Sequence, residues 1–406
     1  MGEDAQRRET GLCPHFGECG GCQNQDVEYQ DQLAAKEALL RGIFEPFWDG
    51  AIPVTPSPIL WHYRNKVDPA FAPMRYPEAP PAGFARETVL GFKKQGRWYW
   101  PLDIEECRIA PEGLDALLAA MRIWHREQGL RAFDSRTEEG FLRVLLVRDA
   151  KRTGERMVVL ITRDGELDGQ AFVDAVQGAF PCHSVYRGIF RGKADVAAVD
   201  ELELLDGKAA ITEELRVPDG GAVRTLRFRI SPMSFFQTNT LATESLYGMI
   251  RAWAREVAPK TLYDLYGGAG GIAFTCSDLA GEVWSVENVA EASADGRHNA
   301  AVNGIENVAF VTEKVKNYLR LRLRDGGLGE GAAAVLDPPR SGLHPKAQRR
   351  IIELAPEHLL YVSCNPKILV REMPGFLDAY RLESLCAVDL FPHTRHVEVL
   401  AAFVRK

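Results

Sequence analysis

From Lys260 onward the chain alternates short, nearly continuous apolar runs with longer stretches of helical spacing. TLYDLY, EVWSVE, NVAFV, AAAVLD and HLLYVSC read as five successive strands. Their apolar residues fall on consecutive rather than alternate positions, as in strands covered on both faces. FTCSDLA, AEASADGRHNAAVN, PKAQRRIIELA and PKILVREM, which separate them, read as helices. Alternation of this kind predicts a parallel, doubly wound sheet. The last two apolar runs, RLESLCAVDLF and RHVEVLAAFV, are separated only by the turn PHT. A parallel crossover needs a dozen or more residues, so this pair must be a hairpin with one antiparallel strand.

The pattern is different earlier in the chain. From about Tyr63 to Ile230 it favours short strands and hairpins, such as FLRVLLVRD and RMVVLITRDG, interrupted by one helical stretch around GLDALLAAMRIWHRE. A sheet-rich α+β domain is expected there. Ahead of it, EYQDQLAAKEALLRGIF places Leu33, Leu39, Leu40 and Ile43 at helical intervals, and the prolines of IPVTPSPIL end that helix. Three segments result: 1–57 with a helix and linker, a central domain 58–230, and an α/β domain 231–406.

Length and composition narrow the class. A chain of 406 residues has material for two or three packed cores. No apolar run reaches the roughly 18 residues of a membrane span, and MGEDAQRRET has no apolar core for a signal sequence, so a cytoplasmic enzyme without membrane attachment is expected. The net charge of -7 gives no overall attraction to nucleic acid, so any RNA site must be a local basic face. Eight cysteines are too few for a disulfide scaffold, but Cys13, Cys19 and Cys22 are closely spaced, which suggests metal binding. Three thiolates need a fourth ligand, and Cys107 in DIEECRIAP is the best candidate. Spacing alone leaves zinc and an iron–sulfur cluster level.

The candidate chemistry gathers at the strand ends. The first strand of the C-terminal sheet runs into Asp264-Leu-Tyr266-Gly267-Gly268-Ala-Gly270-Gly271, where the absence of Cβ atoms allows a tight turn and close approach of a ligand to the backbone. Glu287, ending the second strand, can bind ribose hydroxyls of either a dinucleotide or S-adenosylmethionine, and the loop alone does not choose. Asp337 in VLDPPRSG and Cys364 in YVSCNP end the fourth and fifth strands. Ligands in open parallel sheets sit outside the carboxyl ends of the strands, so all these residues should share one crevice. An acid before Pro-Pro at this point, together with the terminal hairpin, suits a methyltransferase better than a plain dinucleotide fold.

Cys364 stands at the edge of this crevice, unlike Cys182, Cys276 and Cys386, and is the candidate nucleophile. An unperturbed thiol is only a few per cent ionised at neutral pH, so a nearby cation should activate it, and Arg340 is the candidate. Glu398 in FPHTRHVEVL lies among residues that favour a buried strand, where an unpartnered carboxylate is expensive, so a partner or a catalytic role is expected. Burial would raise its pKa and suit it to act as a base. His393 and His396 are alternative bases; otherwise they are ordinary polar residues near the turn.

CPHFGECGGC, YRNKVDPAF, SFFQTN, DLYGGAGG, SVENVAEA, LDPPRSG, YVSCNP and FPHTRHVE, in this order, resemble the uracil-5 RNA methyltransferases, the family of the 23S ribosomal RNA and tRNA T-loop enzymes. The resemblance implies a class I, Rossmann-like methyltransferase domain. It implies S-adenosylmethionine binding by Gln237, Tyr266, Glu287 and Asp337, with Cys364 as nucleophile, Glu398 as proton acceptor and Phe235 near the target base. It also implies a 4Fe–4S cluster on Cys13, Cys19, Cys22 and Cys107, structural or helping to hold RNA. A monomer acting on RNA is expected, with 23S ribosomal RNA favoured over tRNA. Gly267 stands where the family usually has cysteine, and no small N-terminal RNA-binding barrel precedes the cysteine cluster, which leaves the choice of target open. Methylation of another acceptor would leave Cys364 and Glu398 idle. A non-catalytic iron–sulfur RNA-binding module would have lost the polar set that is present here. Arg64, Lys66, Lys93, Lys94 and Arg97, with Tyr63, Phe92, Trp98 and Tyr99 beside them, form the candidate RNA face of the central domain.

Overall fold

The structure, a computed structural model, describes residues 12–406 except 79, 82, 83 and 85. The chain forms two compact units. One comprises Met1–Val27, Leu60–Glu213 and Ser231–Met233; the other comprises Glu28–Ile59, Glu214–Ile230 and Ser234–Lys406. Among the described residues no helix is long and apolar enough to cross a membrane.

The helix expected after the cysteine cluster is α1 (Tyr29–Phe44), and it packs with the C-terminal sheet, as does the short strand β1 (Val54–Thr55). Its buried residues are Gln32, Leu33, Lys36, Leu40 and Phe44. Four of them recur every fourth position, so the buried stripe follows a helical row that begins with two polar residues. Leu39, which sequence periodicity assigns to the apolar side, is 44% exposed.

In the first unit the strands are β2 (Lys66–Val67), β3 (Ala70–Pro73), β4 (Thr88–Lys94), β5 (Arg97–Asp103), β6 (Leu142–Asp149), β7 (Arg156–Thr162), β8 (Ser184–Ile189) and β9 (Glu201–Gly207). They form a sheet in the order β5-β4-β3-β6-β7-β8-β9, with β2 also paired to β6. Helices α2 (Leu114–Glu127) and α3 (Gly169–Ala179) share its core: Leu117, Leu118, Met121, Phe172 and Val176 pack with Leu145, Val158 and Leu160. The sequence reading anticipates α2 but not α3. Gly169 and Gly178 weaken the helical pattern of α3, although Asp168 caps it by accepting the Ala171 N–H at 3.0 Å. With α3 as crossover, β7 and β8 pair in parallel within an otherwise antiparallel sheet.

Strands β10 (Ile211–Asp219) and β11 (Ala222–Ile230) pair with each other alone, and α4 (Thr240–Val257) follows. The sheet of the second unit then takes β12 (Thr261–Leu265), β13 (Glu282–Glu287), β14 (Val308–Thr312), β15 (Ala332–Leu336), β16 (His358–Ser363), β17 (Tyr380–Val388) and β18 (Glu398–Arg405). Helices α5 (Gly271–Cys276), α6 (Ala290–Val302), α7 (Val315–Arg324), α8 (Pro345–Leu354) and α9 (Pro366–Leu377) connect them; α7 was not anticipated. The spatial order is β1-β17-β18-β16-β15-β12-β13-β14. All pairs are parallel except those made by β18, which runs antiparallel to both β16 and β17, as the short PHT turn requires. This is the order of class I methyltransferases with β1 added at the edge. β12 is flanked by β13 on one side and β15 on the other, so the topological switch point lies at its carboxyl end.

Candidate active site

The glycine loop opens at this switch point. Tyr266 takes φ +74°, a left-handed conformation rare for a bulky residue and associated with strained functional turns. Gly267 is packed so closely that a Cβ there would lie 2.1 Å from Ser285 Oγ and 2.8 Å from Asp264 Oδ2. The glycine that departs from the family pattern therefore makes room for the Ser285 hydroxyl, which donates to Asp264 Oδ2 at 3.4 Å. The same oxygen accepts the Ala273 N–H at 3.1 Å, while Asp264 Oδ1 has no hydrogen-bond partner among the described residues. Glu287 accepts the Gly268 N–H at 3.1 Å and the Val289 N–H at 2.7 Å, which ties the end of β13 to the loop.

A recess of about 40 Å³ sits above this loop, lined by Phe235, Gln237, Tyr247, Asp264, Tyr266, Gly268 and Asp337 among others. Gln237, Tyr266 and Asp337, read from sequence as cofactor residues, thus share one pocket, and Glu287 reaches it through the Gly268 bond. Tyr247, contributed by α4, was not singled out; its ring fills the space beside Gly271, where a Cβ would meet its hydroxyl oxygen at 2.4 Å. Phe235 is 63% exposed at the pocket edge, an unusual position for a large apolar ring.

Cys364 and Glu398 meet through strand register. The β16–β18 ladder ends at the Ser363–Val399 pair, with Cys364 following Ser363 and Glu398 preceding Val399, and Glu398 is close enough to raise the Cys364 thiol. β15 and β16 are parallel, with Leu336 beside Tyr361, which carries Asp337 to the same end of the sheet. The local field follows from three carboxyl groups crowded in a poorly solvated place. Burial, reinforced by Asp337, pushes Asp264 up to about 7, and burial alone pushes Asp337 up to about 7. Glu398, 3% exposed, is raised well above the usual carboxylate range by burial and then by Asp337.

The Cys364 thiol is pushed up to about 11, first by burial and then by Glu398 and Asp337, while Arg340 pulls it down. The expected activation by Arg340 is therefore present in sign but outweighed in the ligand-free protein. Arg340 also lies 3.4 Å from His396 Nδ1, and its carbonyl accepts from Asn365 Nδ2 at 3.3 Å. His393 is held elsewhere: its backbone N–H donates to Gln32 Oε1 at 2.9 Å.

Cys13, Cys19, Cys22 and Cys107 all line one cavity of about 560 Å³ in the first unit. The loop that carries the first three is fixed to β4 by a bridge between Cys19 and Lys94 and by the Gly20 N–H donating to the Lys93 carbonyl at 3.0 Å. Burial raises all four thiols, Cys22 to about 11 and Cys107 to about 12, and neighbouring cysteines add to the rise at Cys19, Cys22 and Cys107. Among the described residues no group of three or more His, Cys, Asp or Glu side chains is arranged to hold a metal ion.

The candidate RNA face is altered by its packing. Tyr63 is fully buried and is not available for stacking. Lys66 is largely desolvated and its pKa is lowered by burial. Arg64, Phe92, Lys93, Lys94 and Arg97 line the cysteine cavity, and Tyr99 remains exposed.

Comparison with known proteins accords with this geometry. The profile of the tRNA (Uracil-5-)-methyltransferase family matches residues 200–406. An RNA methyltransferase of Caldanaerobacter subterraneus subsp. tengcongensis is 34% identical over 400 residues, covering 96% of this chain and 83% of the relative. The tRNA (uracil(54)-C(5))-methyltransferase of Pyrococcus furiosus is 31% identical, covering 97% of this chain and 85% of that protein. The crystal structure of Pyrococcus abyssi tRNA (uracil-54, C5)-methyltransferase in complex with S-adenosyl-L-homocysteine matches with a TM-score of 0.73 at 27% identity, covering 95% of this chain and 86% of that one. The chain belongs to the tRNA (uracil-5-)-methyltransferase family and is an S-adenosylmethionine-dependent RNA (uracil-5-)-methyltransferase.

Proposed function

We propose that this enzyme methylates carbon 5 of a uridine in structured RNA through a covalent adduct between Cys364 and carbon 6. The observation that carries the reading is that Glu398 and Asp337, the latter lining the recess, both lie close enough to Cys364 to raise its thiol. Carbon 5 of uracil is too weak a nucleophile to take a methyl group unaided. Cys364 Sγ, as thiolate, adds to carbon 6 and drives an electron pair onto carbon 5. S-adenosylmethionine, when bound, supplies an electrophilic methyl group on a sulfonium cation, and carbon 5 takes that methyl. The Glu398 carboxylate then removes the carbon 5 proton, and the electron pair that is freed expels Sγ from carbon 6.

Gln237, Tyr266, Glu287 and Asp337 would bind the methyl donor. Burying Asp264 and Asp337 around one small recess, with Asp337 also acting on Glu398, is costly without a ligand, and a cationic ligand beside them favours their ionised forms. Phe235, exposed at the rim, would stack on the target base.

Cys13, Cys19, Cys22 and Cys107 would hold a 4Fe–4S cluster. Four thiols around one cavity suit a cluster better than a single ion, and the reaction needs no electron, so its task is structural or in RNA binding. The central domain would then carry the RNA contacts through Arg64, Lys93, Lys94 and Arg97.

Two targets fit. The cysteine set favours 23S ribosomal RNA. The likeness over nearly the whole chain to enzymes named for tRNA uracil-54 favours the tRNA T-loop equally. Mapping 5-methyluridine in ribosomal RNA and tRNA from a strain lacking this gene decides between them: the methyl group disappears from one uridine of the true target. Full retention of 5-methyluridine in both pools would contradict the proposal.

A further inference from the structure

Helix α1 lines no part of the cofactor recess, yet polar side chains of this helix end on the connection between β17 and β18. Lys36 Nζ donates to Asp389 Oδ1 at 2.7 Å and to the Phe391 carbonyl at 3.3 Å. Tyr29 Oη donates to Asp389 Oδ2 at 3.1 Å. Gln32 Oε1 accepts the His393 backbone N–H at 2.9 Å, and Gln32 Nε2 lies 3.2 Å from His393 Nδ1. Asn239 Nδ2 joins from the segment after Gln237, donating to the Leu390 carbonyl at 2.9 Å and to Ser57 Oγ at 3.2 Å. The Ser57 N–H closes the ring by donating to Tyr29 Oη at 2.7 Å.

Two features make this more than general packing. The Lys36 and Asp389 side chains are 3% and 0% exposed. A buried ion pair is seldom more stabilising than an apolar pair of the same size, so its use is better explained by what it orients. His393 takes φ +65°, a strained conformation for a non-glycine residue that persists only where its surroundings hold it. Gln32 does so with two contacts. Three residues later the same connection delivers His396 to Arg340, and then Glu398, the first residue of β18.

We propose that Tyr29, Gln32, Lys36 and Asp389 form a buried polar latch that positions the β17–β18 connection, and through it Glu398, against Cys364, while Asn239 couples the Gln237 segment to the same latch. They are positioning residues for proton removal from carbon 5. The inference rests on the reading of Glu398 as the base.

The test compares full-length Lys36→Met, Gln32→Leu and the double variant Lys36→Met/Asp389→Leu with wild type and Glu398→Gln. Each is incubated with substrate RNA and S-adenosylmethionine, and adduct decay is followed per folded active site, with melting temperature and S-adenosylmethionine affinity measured alongside. Gln32→Leu leaves no buried charge behind and guards against failure of Lys36→Met to fold. The latch predicts that adduct release slows by on the order of 10- to 100-fold in all three variants, with affinity for S-adenosylmethionine little changed, because small displacements of a reacting group cost rate steeply. It also predicts that the double variant recovers melting temperature but not release rate. Recovery of both together, or wild-type release in Gln32→Leu and Lys36→Met while Glu398→Gln accumulates adduct, overturns the latch and leaves the base reading intact. Normal turnover by Glu398→Gln overturns the base reading and the latch with it.

Discussion

Cys364 and Glu398 adjoin the Ser363–Val399 pair that ends the β16–β18 ladder, Cys364 following Ser363 and Glu398 preceding Val399. The antiparallel insertion of β18 between β16 and β17 brings the two to the same end of the sheet, since a sixth parallel strand would bring a residue from the other end of the chain segment to that place. Burial first, and then the two carboxyl groups that this arrangement sets near the thiol, hold it near 11 in the ligand-free protein.

A reactivity profile follows from that value. Alkylation by iodoacetamide requires thiolate, and below a pKa of about 11 the thiolate fraction rises about tenfold per pH unit. Mass spectrometry of the Cys364 peptide from cofactor-free protein should show alkylation accelerating throughout the range from about pH 7 to about pH 9. Asp337→Asn removes one of the groups that raise the thiol, so it should alkylate faster than wild type at the same pH. A rate already at its plateau at neutral pH would contradict the field described here.

Asp337 makes stability depend on pH in a direction opposite to that of an ion-paired carboxylate. An unfolded aspartate titrates near ~3.9, whereas folded Asp337 is raised to about 7. Between those values the folded protein keeps a proton that the unfolded chain has lost, so this group's contribution to stability falls as pH rises and levels off above the folded value. Asp337→Asn cannot ionise. In cofactor-free protein its unfolding free energy relative to wild type should therefore become more favourable from about pH 5 to about pH 8, by on the order of 2 kcal/mol. A difference that stays constant with pH, measured by differential scanning calorimetry, would contradict the raised value.

Gly267→Ala should weaken the cofactor site more than an exposed glycine substitution would. The added Cβ falls on Ser285 Oγ and Asp264 Oδ2, so the loop must shift or the hydroxyl must turn away. Isothermal titration should show S-adenosylmethionine affinity reduced by on the order of 10-fold, with partial recovery in Gly267→Ala/Ser285→Ala. Gly178→Ala, with no neighbour near the added atom and no left-handed backbone, is the control for a glycine substitution without a clash.

Protein prepared without oxygen should be brown, with broad absorbance in the visible blue that bleaches on reduction or chelation, and Cys22→Ser should be colourless. Because a cluster that binds only the folded arrangement of its four cysteines adds its binding free energy to folding, loss of the cluster should also lower the melting temperature of wild type. Colourless protein with stoichiometric zinc would overturn the cluster assignment.

The C-terminal sheet was legible because its strands are short, bounded apolar runs and its glycine loop, Asp337 and Cys364 lie at strand ends, where sequence position translates directly into spatial position. The approach of Glu398 to Cys364 could be expected only in outline, since it depends on which strand β18 chooses as neighbour. Helix α3 escaped notice through its two glycines. The latch escaped for a different reason: Gln32 and Lys36 occupy buried positions of α1, and an apolar-periodicity rule discounts polar residues there. The placement of α1 with the C-terminal unit, and of Tyr63 in the core rather than on an RNA face, depends on contacts between segments distant in sequence, which local pattern does not carry.

The central claim is that Cys364 attacks and Glu398 releases, and one gel separates the two roles. Cys364→Ala, Glu398→Gln and wild type are each incubated with RNA and methyl-labelled S-adenosylmethionine and run under denaturing conditions. Glu398→Gln should add the thiol and take the methyl group but keep the carbon 5 proton, so a slow-migrating labelled protein–RNA band accumulates. Cys364→Ala should give neither band nor methylated RNA. Methylation of uridine by Cys364→Ala, or ordinary turnover without a trapped band in Glu398→Gln, would contradict the account.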